Sequence, residues 1–379
     1  MGLALDETTL MKEDSGSLKK RHAVQFLREA PAADHRWWEA WRQAESAAAF
    51  IGLFVPGVYT AARTIHNGCA VVHVGYHVRR LIESRRLLLL LLLEAENGDT
   101  GVPLEDVAGV ESAMERRLLA AVRGARQGVR CCRCGAAPPE EAAEWMFAVY
   151  APLRCSECCR IDATHPADDV SRHLPPHLIV RCARLPPLPH PSSSVDATAH
   201  PARVEFHAAP PRPCALAKQS AWVRARQPLE QARLSPLTDE VVIISREGAI
   251  LDDESVAADW IVHEGLTSNI VFVYDDAEVV VPDEQVLHGH MRDLLMRACQ
   301  RHGVAMRRHP VPRLRDMPQW TAAFLVSAGR VVVPIAHIQV AVPGAAPYGE
   351  WQPAPSSAHW ATRLRQWTLE EMERTCTPI

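Results

Sequence analysis

Apolar and polar positions along this chain follow two different periods, and the switches between them mark out the folded elements. Short runs rich in β-branched and aromatic residues predict strands: AVVHV at Ala70–Val74, MFAVY at Met146–Tyr150, ARVEFHAA from Ala202, EVVIIS from Glu240, NIVFVY from Asn269, EVVVP from Glu278 and AAFLVS from Ala322. Longer stretches predict helices: RRLIESRRLLLLLLLEAE from Arg79, MRDLLMRACQRHG from Met291, and a C-terminal stretch with Trp360, Leu364, Trp367 and Leu369 roughly on one side. The run Leu87–Leu93 is too short to span a bilayer, with arginines before it and Glu94 after it, and predicts a buried helix face.

These elements divide the chain. Residues 1–30 are polar and charged and predict a poorly ordered leader. Residues 31–184 predict an α+β first domain with a cysteine-rich insertion near 131–160. The stretch LPPLPHPSSSVDATAHP, within 185–202, is too rich in Pro and Ser for a helix or central strand and reads as a linker or long insertion. Residues 203–345 form a strand-rich second domain, and 346–379 a C-terminal extension with a helix.

Composition narrows the class. With 379 residues, 47% hydrophobic and 23% charged, the chain can bury a substantial core. A net charge of -4 offers no basic surplus for nucleic acid. MGLALDETTL has no apolar signal core, and Asp6 stands where a myristoylation signal needs Ser or Thr, so the expected location is the cytosol and the 11 cysteines are expected as thiols.

Lysine usage points to chemistry. After Lys20 the only lysine is Lys218, whereas the same stretch holds all the arginines, which are the 41 Lys+Arg less Lys12, Lys19, Lys20 and Lys218. Arginine substitutes for lysine as a charge but not as an amine that loses its proton and attacks a carbonyl. A retained lysine therefore suggests Schiff-base chemistry, against the alternative of a chance survivor of an arginine bias. The cysteines supply a second constellation: CCRCG and CSECC bring Cys132, Cys134, Cys155 and Cys158 into a set able to hold structural zinc. His165, His173 and His177 nearby read as surface or turn residues.

Around Lys218 the order is ALAKQSAWVRARQPLEQ, TDEVVIISREGAIL, EGLTSNIVFVYDD, VLHGHMRDLL and AAFLVSAGRVVVPIAHI, and upstream lies PGVYTAARTIHNGCAVVHVGYHVRRL. This series resembles the fold-type IV (class IV) aminotransferases that use pyridoxal 5'-phosphate (PLP), a group including branched-chain and D-amino acid aminotransferases and aminodeoxychorismate lyase. The AKxSxW and YTxxR pieces are most similar to an aminotransferase-like branch of plants, algae and protists. The resemblance covers about residues 50–95 and 200–345. It implies a two-domain, D-amino acid aminotransferase-like fold and a homodimer whose active site borrows a loop from the neighbouring subunit.

Carried over position by position, the resemblance makes Lys218 the PLP lysine and proton shuttle, and Glu264 the partner of the pyridine nitrogen. Leu287 is implied to lie on the cofactor ring. Gly289, His290 and Met291 are implied to bind the phosphate at a helix N-terminus, with Arg80 reaching it from the first domain. Ser327, Ala328 and Gly329 would complete the phosphate cup, Ala328 standing where the family usually has threonine, and Tyr59 would line the substrate side. Lys218 and Glu264 are separated by more residues than the family usually has, the excess being read as LDDESVAADWIVH after Gly248. Transamination between an amino acid and a 2-oxo acid is the leading reading. A lyase acting on aminodeoxychorismate is open, since Thr60 and Arg63 resemble that branch equally, as is a non-catalytic relative or interaction protein.

Overall fold

The computed structural model describes residues 46–52, 56–97, 109–131, 143–153, 178–185, 188, 200–246, 260–275, 277–308, 310–341 and 349–379. A short helix α1 (Ala47–Gly52) precedes β1 (Gly57–Ile65), β2 (Ala70–Val72), the long helices α2 (Val74–Asn97) and α3 (Val110–Cys131), and strands β3 (Glu144–Pro152) and β4 (Ile179–Leu185). These strands, together with β14 (Cys376–Pro378) from the C-terminus, form one sheet in the order β14-β2-β1-β3-β4.

Alternation along the two central strands decides what each face does. Val58 and Ala62 of β1, with Phe147, Val149 and Ala151 of β3, pack under Leu81 and Leu88 of α2 and Met114 and Leu118 of α3. The intervening residues face the other way, and the antiparallel register sets Tyr59 against Tyr150, Ala61 against Ala148 and Arg63 against Met146. The leucine run lies on α2 as a buried helix: Leu88 is inaccessible, while Leu87, Leu89, Leu91 and Leu92 pack partly buried around the same core. The AVVHV strand is shorter than its pattern predicts. His73 adopts a φ of 56°, in the left-handed region, and this turns the chain from β2 into α2 two residues early.

The second sheet contains β5 (Ala202–Ala208), β6 (Glu240–Arg246), β7 (Trp260–Gly265), β8 (Asn269–Tyr274), β9 (Val279–Val280), β10 (Met306–Arg307), β11 (Trp320–Ser327) and β12 (Val331–Ala341), in the order β10-β9-β8-β11-β12-β5-β6-β7, with β13 (Glu350–Trp351) paired to β12. Two short helices, α4 (Ala221–Ala225) and α5 (Gln227–Gln231), follow the Lys218 segment. The sheet curls so that Phe206, Val242, Trp260, Phe272, Trp320 and Trp351, from strands far apart in its order, share one core. Phe272 stacks on Trp320 at 4.1 Å between centroids, and Trp351 meets Trp320 edge-on at 6.4 Å. The opposite face is covered by α6 (His290–Arg301) and the C-terminal helix α7 (Ala358–Thr375). On α7, Trp360, Leu364 and Leu369 are buried, and Trp367 stacks on His302 at 4.3 Å.

The architecture is mixed α/β with a helix-rich first part and a strand-rich curled second part, the arrangement of fold-type IV. Among the described residues, no helix is long and apolar enough to cross a membrane. The long segment between Lys218 and Glu264 is placed by the β6–β7 register, which pairs Val242 with Gly265 and Arg246 with Trp260. Trp260–His263 therefore belong to β7 and not to an insertion, and Trp260, where β7 begins, lies roughly 13 Å along the strand from Glu264.

Because Phe272 is fully buried and stacked, Phe272→Ala should cost about 3–5 kcal/mol of folding free energy, measured by chemical denaturation. A loss below about 1 kcal/mol would mean that the aromatic core does not hold the curled sheet closed.

Candidate active site

Lys218 is fixed by backbone before its side chain does anything. Tyr59 N–H donates to Lys218 O at 2.9 Å, Ser220 N–H donates to Gly57 O at 2.8 Å, and Gly57 N–H donates to Ser220 Oγ at 3.0 Å, tying the segment to β1 as an added strand residue. From the helix side, Lys218 N–H donates to Ser84 Oγ at 3.0 Å. Gly57 is required at this join, since a Cβ there would lie 2.5 Å from the Tyr150 ring.

The Lys218 amine projects over the Tyr59 ring, 4.7 Å from its centroid, and opens onto a cavity of about 470 Å³. Withdrawal from water lowers its pKa first, and the cations Arg80, Arg212 and Arg226 lower it further against the opposing pull of Tyr59, so that it is held at about 8. For the Tyr59 phenol, burial pushes upward, but Lys218, Arg226 and Arg212 together prevail and its pKa falls below the ordinary value.

Glu264 lies at the end of β7 and lines the same cavity. Its Oε2 accepts the Leu287 N–H at 3.0 Å, and Arg212 Nη2 lies 3.1 Å from Oε1. That ion pair is close but poorly aligned, and Oε1 remains buried without a hydrogen-bond donor. Burial raises the Glu264 pKa more than Arg212, the Leu287 amide, Lys218 and Arg292 lower it. The following turn is held from both sides: Trp222 Nε1 and Arg226 Nη1 both donate to Leu266 O at 3.1 Å, and Glu240 accepts from Thr267 Oγ1 at 2.5 Å and Ser268 Oγ at 3.2 Å.

At the other end of the cavity the chain presents a helix start and a tight turn. Helix α6 begins at His290 with Gly289 as its extended N-cap, and a Cβ on Gly289 would meet Asn269 Oδ1 at 2.2 Å. The Asn269 amide donates to Leu287 O at 2.7 Å, fixing the approach to the helix. Arg80 donates one N–H to His288 O, which also accepts from Tyr76 Oη at 2.6 Å, so part of the Arg80 guanidinium is used in shaping this bend. The His290 ring packs 4.5 Å from that of His77; burial, before neighbouring cations, takes both well below the ordinary histidine pKa and keeps them neutral.

The turn Ser327–Arg330 joins β11 to β12. Val331, at its exit, has a φ of 63°, a left-handed conformation costing a β-branched residue about 1–3 kcal/mol. Arg63, 1% exposed, donates from Nη1 to Ala328 O at 3.0 Å and Gly329 O at 3.2 Å, while Arg330 Nη2 pairs with Glu240 at 2.5 Å.

Tyr59, Arg80, Lys218, Glu264, Leu287, Gly289, His290, Met291, Ser327, Ala328 and Gly329 all lie on the wall of this one cavity. Arg212, Arg226 and Trp222 also line it, and no feature of the sequence separates these arginines from the many others. Arg63 was visible in YTAAR, but its target on another sheet was not. The zinc set Cys132, Cys134, Cys155 and Cys158 lies outside the described residues. Among the described residues, one other set of metal-type donors occurs, His66, Glu373 and Cys376. The exposed His66–Glu373 contact at 2.8 Å forms an ion pair at the C-terminus when His66 is protonated.

Residues 239–338 match the family model for amino-transferase class IV. The matched stretch carries β6–β11, most of β12 and α6, and with them Glu264, the α6 N-terminus and the Ser327–Arg330 turn. No curated protein matches the sequence. Solved structures similar to it include a branched-chain aminotransferase from Thermoproteus uzoniensis with norvaline, at 18% identity and a TM-score of 0.52, covering 85% of this chain and 89% of that one. A branched-chain amino acid aminotransferase from T.th. with pyridoxamine 5'-phosphate, at 17% identity, covers the same shares with a TM-score of 0.52. Identities this low speak for the fold alone. A hypothetical aminotransferase from Mycobacterium tuberculosis, apo form, has 16% identity and a TM-score of 0.49 over 82% of this chain and 88% of that one.

The surroundings of Lys218 have a measurable consequence. Acylation of Lys218 by an amine-reactive probe, followed by peptide mass spectrometry, should rise with a midpoint at about 8, and Arg226→Met, which removes one lowering cation, should move the midpoint upward. A midpoint at the ordinary lysine value of 10.5 would contradict the described environment.

Proposed function

We propose that the chain is a PLP-dependent aminotransferase of the fold-type IV kind, moving an amino group from an amino acid to a 2-oxo acid. The observation that carries the reading is one cavity bearing a single lysine of lowered pKa and, on the same wall, a buried carboxylate oxygen without a donor. The residues fit the cofactor: Glu264 Oε1 is open to a pyridinium N–H, and the α6 N-terminus with the Ser327–Arg330 turn offers backbone N–H groups to a phosphate. Leu287, Gly289, His290, Met291, Arg80, Ser327, Ala328 and Gly329 would hold PLP, with Lys218 as its covalent anchor. PLP, when bound, draws electrons from Cα of the amino acid and so makes the Cα proton acidic.

The work of the chain itself follows from the geometry. Lys218 Nζ, with a pKa of about 8, is partly free base near neutral pH and takes and returns a substrate proton without a large driving-force penalty in either direction. Tyr59 presents its ring to the amine and limits its sweep. Arg212 lies beside Glu264 and favours its ionised form against burial. Trp222 and Arg226, through Leu266 O, hold the turn that carries the carboxylate.

For the substrate we propose an aliphatic amino acid. Ala47, Ala48, Ile51, Ala61, Met146 and Ala148 give the cavity an apolar wall of small side chains and methyl groups, suited to burying hydrocarbon. A branched-chain side chain is the natural occupant of such a wall.

The test is transfer of an amino group from leucine, isoleucine or valine to 2-oxoglutarate by PLP-loaded protein, read as glutamate formed. Glu264→Gln should lower turnover by roughly 100-fold or more while leaving the fold intact. Loaded protein that transfers no amino group from any of a panel of aliphatic donors, in either chirality, would sink the proposal.

A further inference from the structure

The Ser327–Arg330 turn is gripped from behind by two arginines that no carboxylate pairs among the described residues. Arg63, from β1, takes Ala328 O and Gly329 O. Arg365, from α7, donates through Nη1 to Arg330 O at 3.2 Å and Val332 O at 3.0 Å, the two carbonyls that flank the strained Val331. Four carbonyl groups in five residues are thus drawn to one side. In a trans peptide C=O and N–H point in opposite directions. Holding Ala328 O therefore turns the Gly329 N–H away from Arg63, towards the cavity that Ser327, Ala328 and Gly329 line.

We propose that Arg365 is a positioning residue for anion binding, the C-terminal helix acting as the back of a backbone cup that takes the phosphate of the cofactor. This rests on the reading of the cavity given above. The turn has one hydroxyl, and Ser327 Oγ already lies 3.4 Å from the Arg330 N–H, so recognition falls largely to backbone amides whose direction must be imposed. The charge balance agrees. The Arg330 side chain is neutralised by Glu240, whereas Arg63, partly offset by the charge of Glu144, and Arg365 have backbone carbonyls as hydrogen-bond partners and leave positive potential behind the turn. Helix α7 is held at its C-terminal end, where Arg301 pairs with Glu371 at 2.5 Å and β14 runs on to pair with β2 on the first sheet, and Trp360 and Leu364 bury its earlier turns.

The experiment is calorimetric titration of the full chain, free of PLP, with inorganic phosphate, with melting temperatures recorded alongside. Arg365→Met should weaken phosphate binding by about tenfold, the scale of one lost charge-assisted interaction, and Arg365→Lys should recover part of the loss. Arg363→Met, on the exposed side of the same helix, should leave the dissociation constant unchanged. Should Arg365→Met fail to fold, Arg365→Lys alone carries the test, with binding weakened relative to wild type as the expected result. A lower melting temperature with unchanged phosphate affinity in the folded variants would overturn the inference while leaving the aminotransferase reading intact. A wild-type chain that binds no phosphate would overturn both.

Discussion

Strand β1 is the member on which the site depends. Its two-residue period sends Val58 and Ala62 into the core beneath α2 and α3 and, from the same strand, sends Tyr59, Ala61 and Arg63 to the opposite face. Its backbone holds the Lys218 segment, Tyr59 sits under the Lys218 amine, and Arg63 reaches across to the turn of the other sheet. A slip of one residue in its pairing with β3 would expose apolar side chains and remove all three contacts together. Folding of the first sheet and assembly of the site are therefore one event.

A second theme is the use of arginine. Guanidinium groups stay protonated where a lysine would yield, and here they are set at fixed distances around the one lysine that must yield. Arg80, Arg212 and Arg226 lower the pKa of Lys218; Arg212 simultaneously offsets the cost of burying Glu264. The same groups do structural work through carbonyls, Arg80 on His288, Arg226 on Leu266, and Arg63 and Arg365 on the β11–β12 turn. Charge and backbone direction are thus specified by the same side chains.

Much of this was legible in the sequence because it depended on local patterns. The solitary Lys218 stands out by itself, whereas the EGLTSN turn and the Gly289–Met291 helix start are weak alone and gain meaning from their order along the chain and the resemblance that order carries; alternation marks the strands of the second sheet. What escaped the sequence was long-range. Nothing marks Arg212 or Arg365 among so many arginines, since their importance comes from partners that the fold brings near. The apolar pattern carries β2 two residues too far because a left-handed His73 has no pattern of its own. The segment before Glu264 reads as a longer insertion than it is because WIVH fits loop or strand equally until its pairing with β6 is known.

The most direct measurement is borohydride reduction of PLP-treated protein followed by peptide mapping, which is unusually decisive because the competing side-chain amines are confined to Lys12, Lys19 and Lys20. The account predicts a pyridoxyl label on Lys218 that disappears in Lys218→Arg. Folded protein that takes no label, or takes it only on the N-terminal lysines, would contradict it.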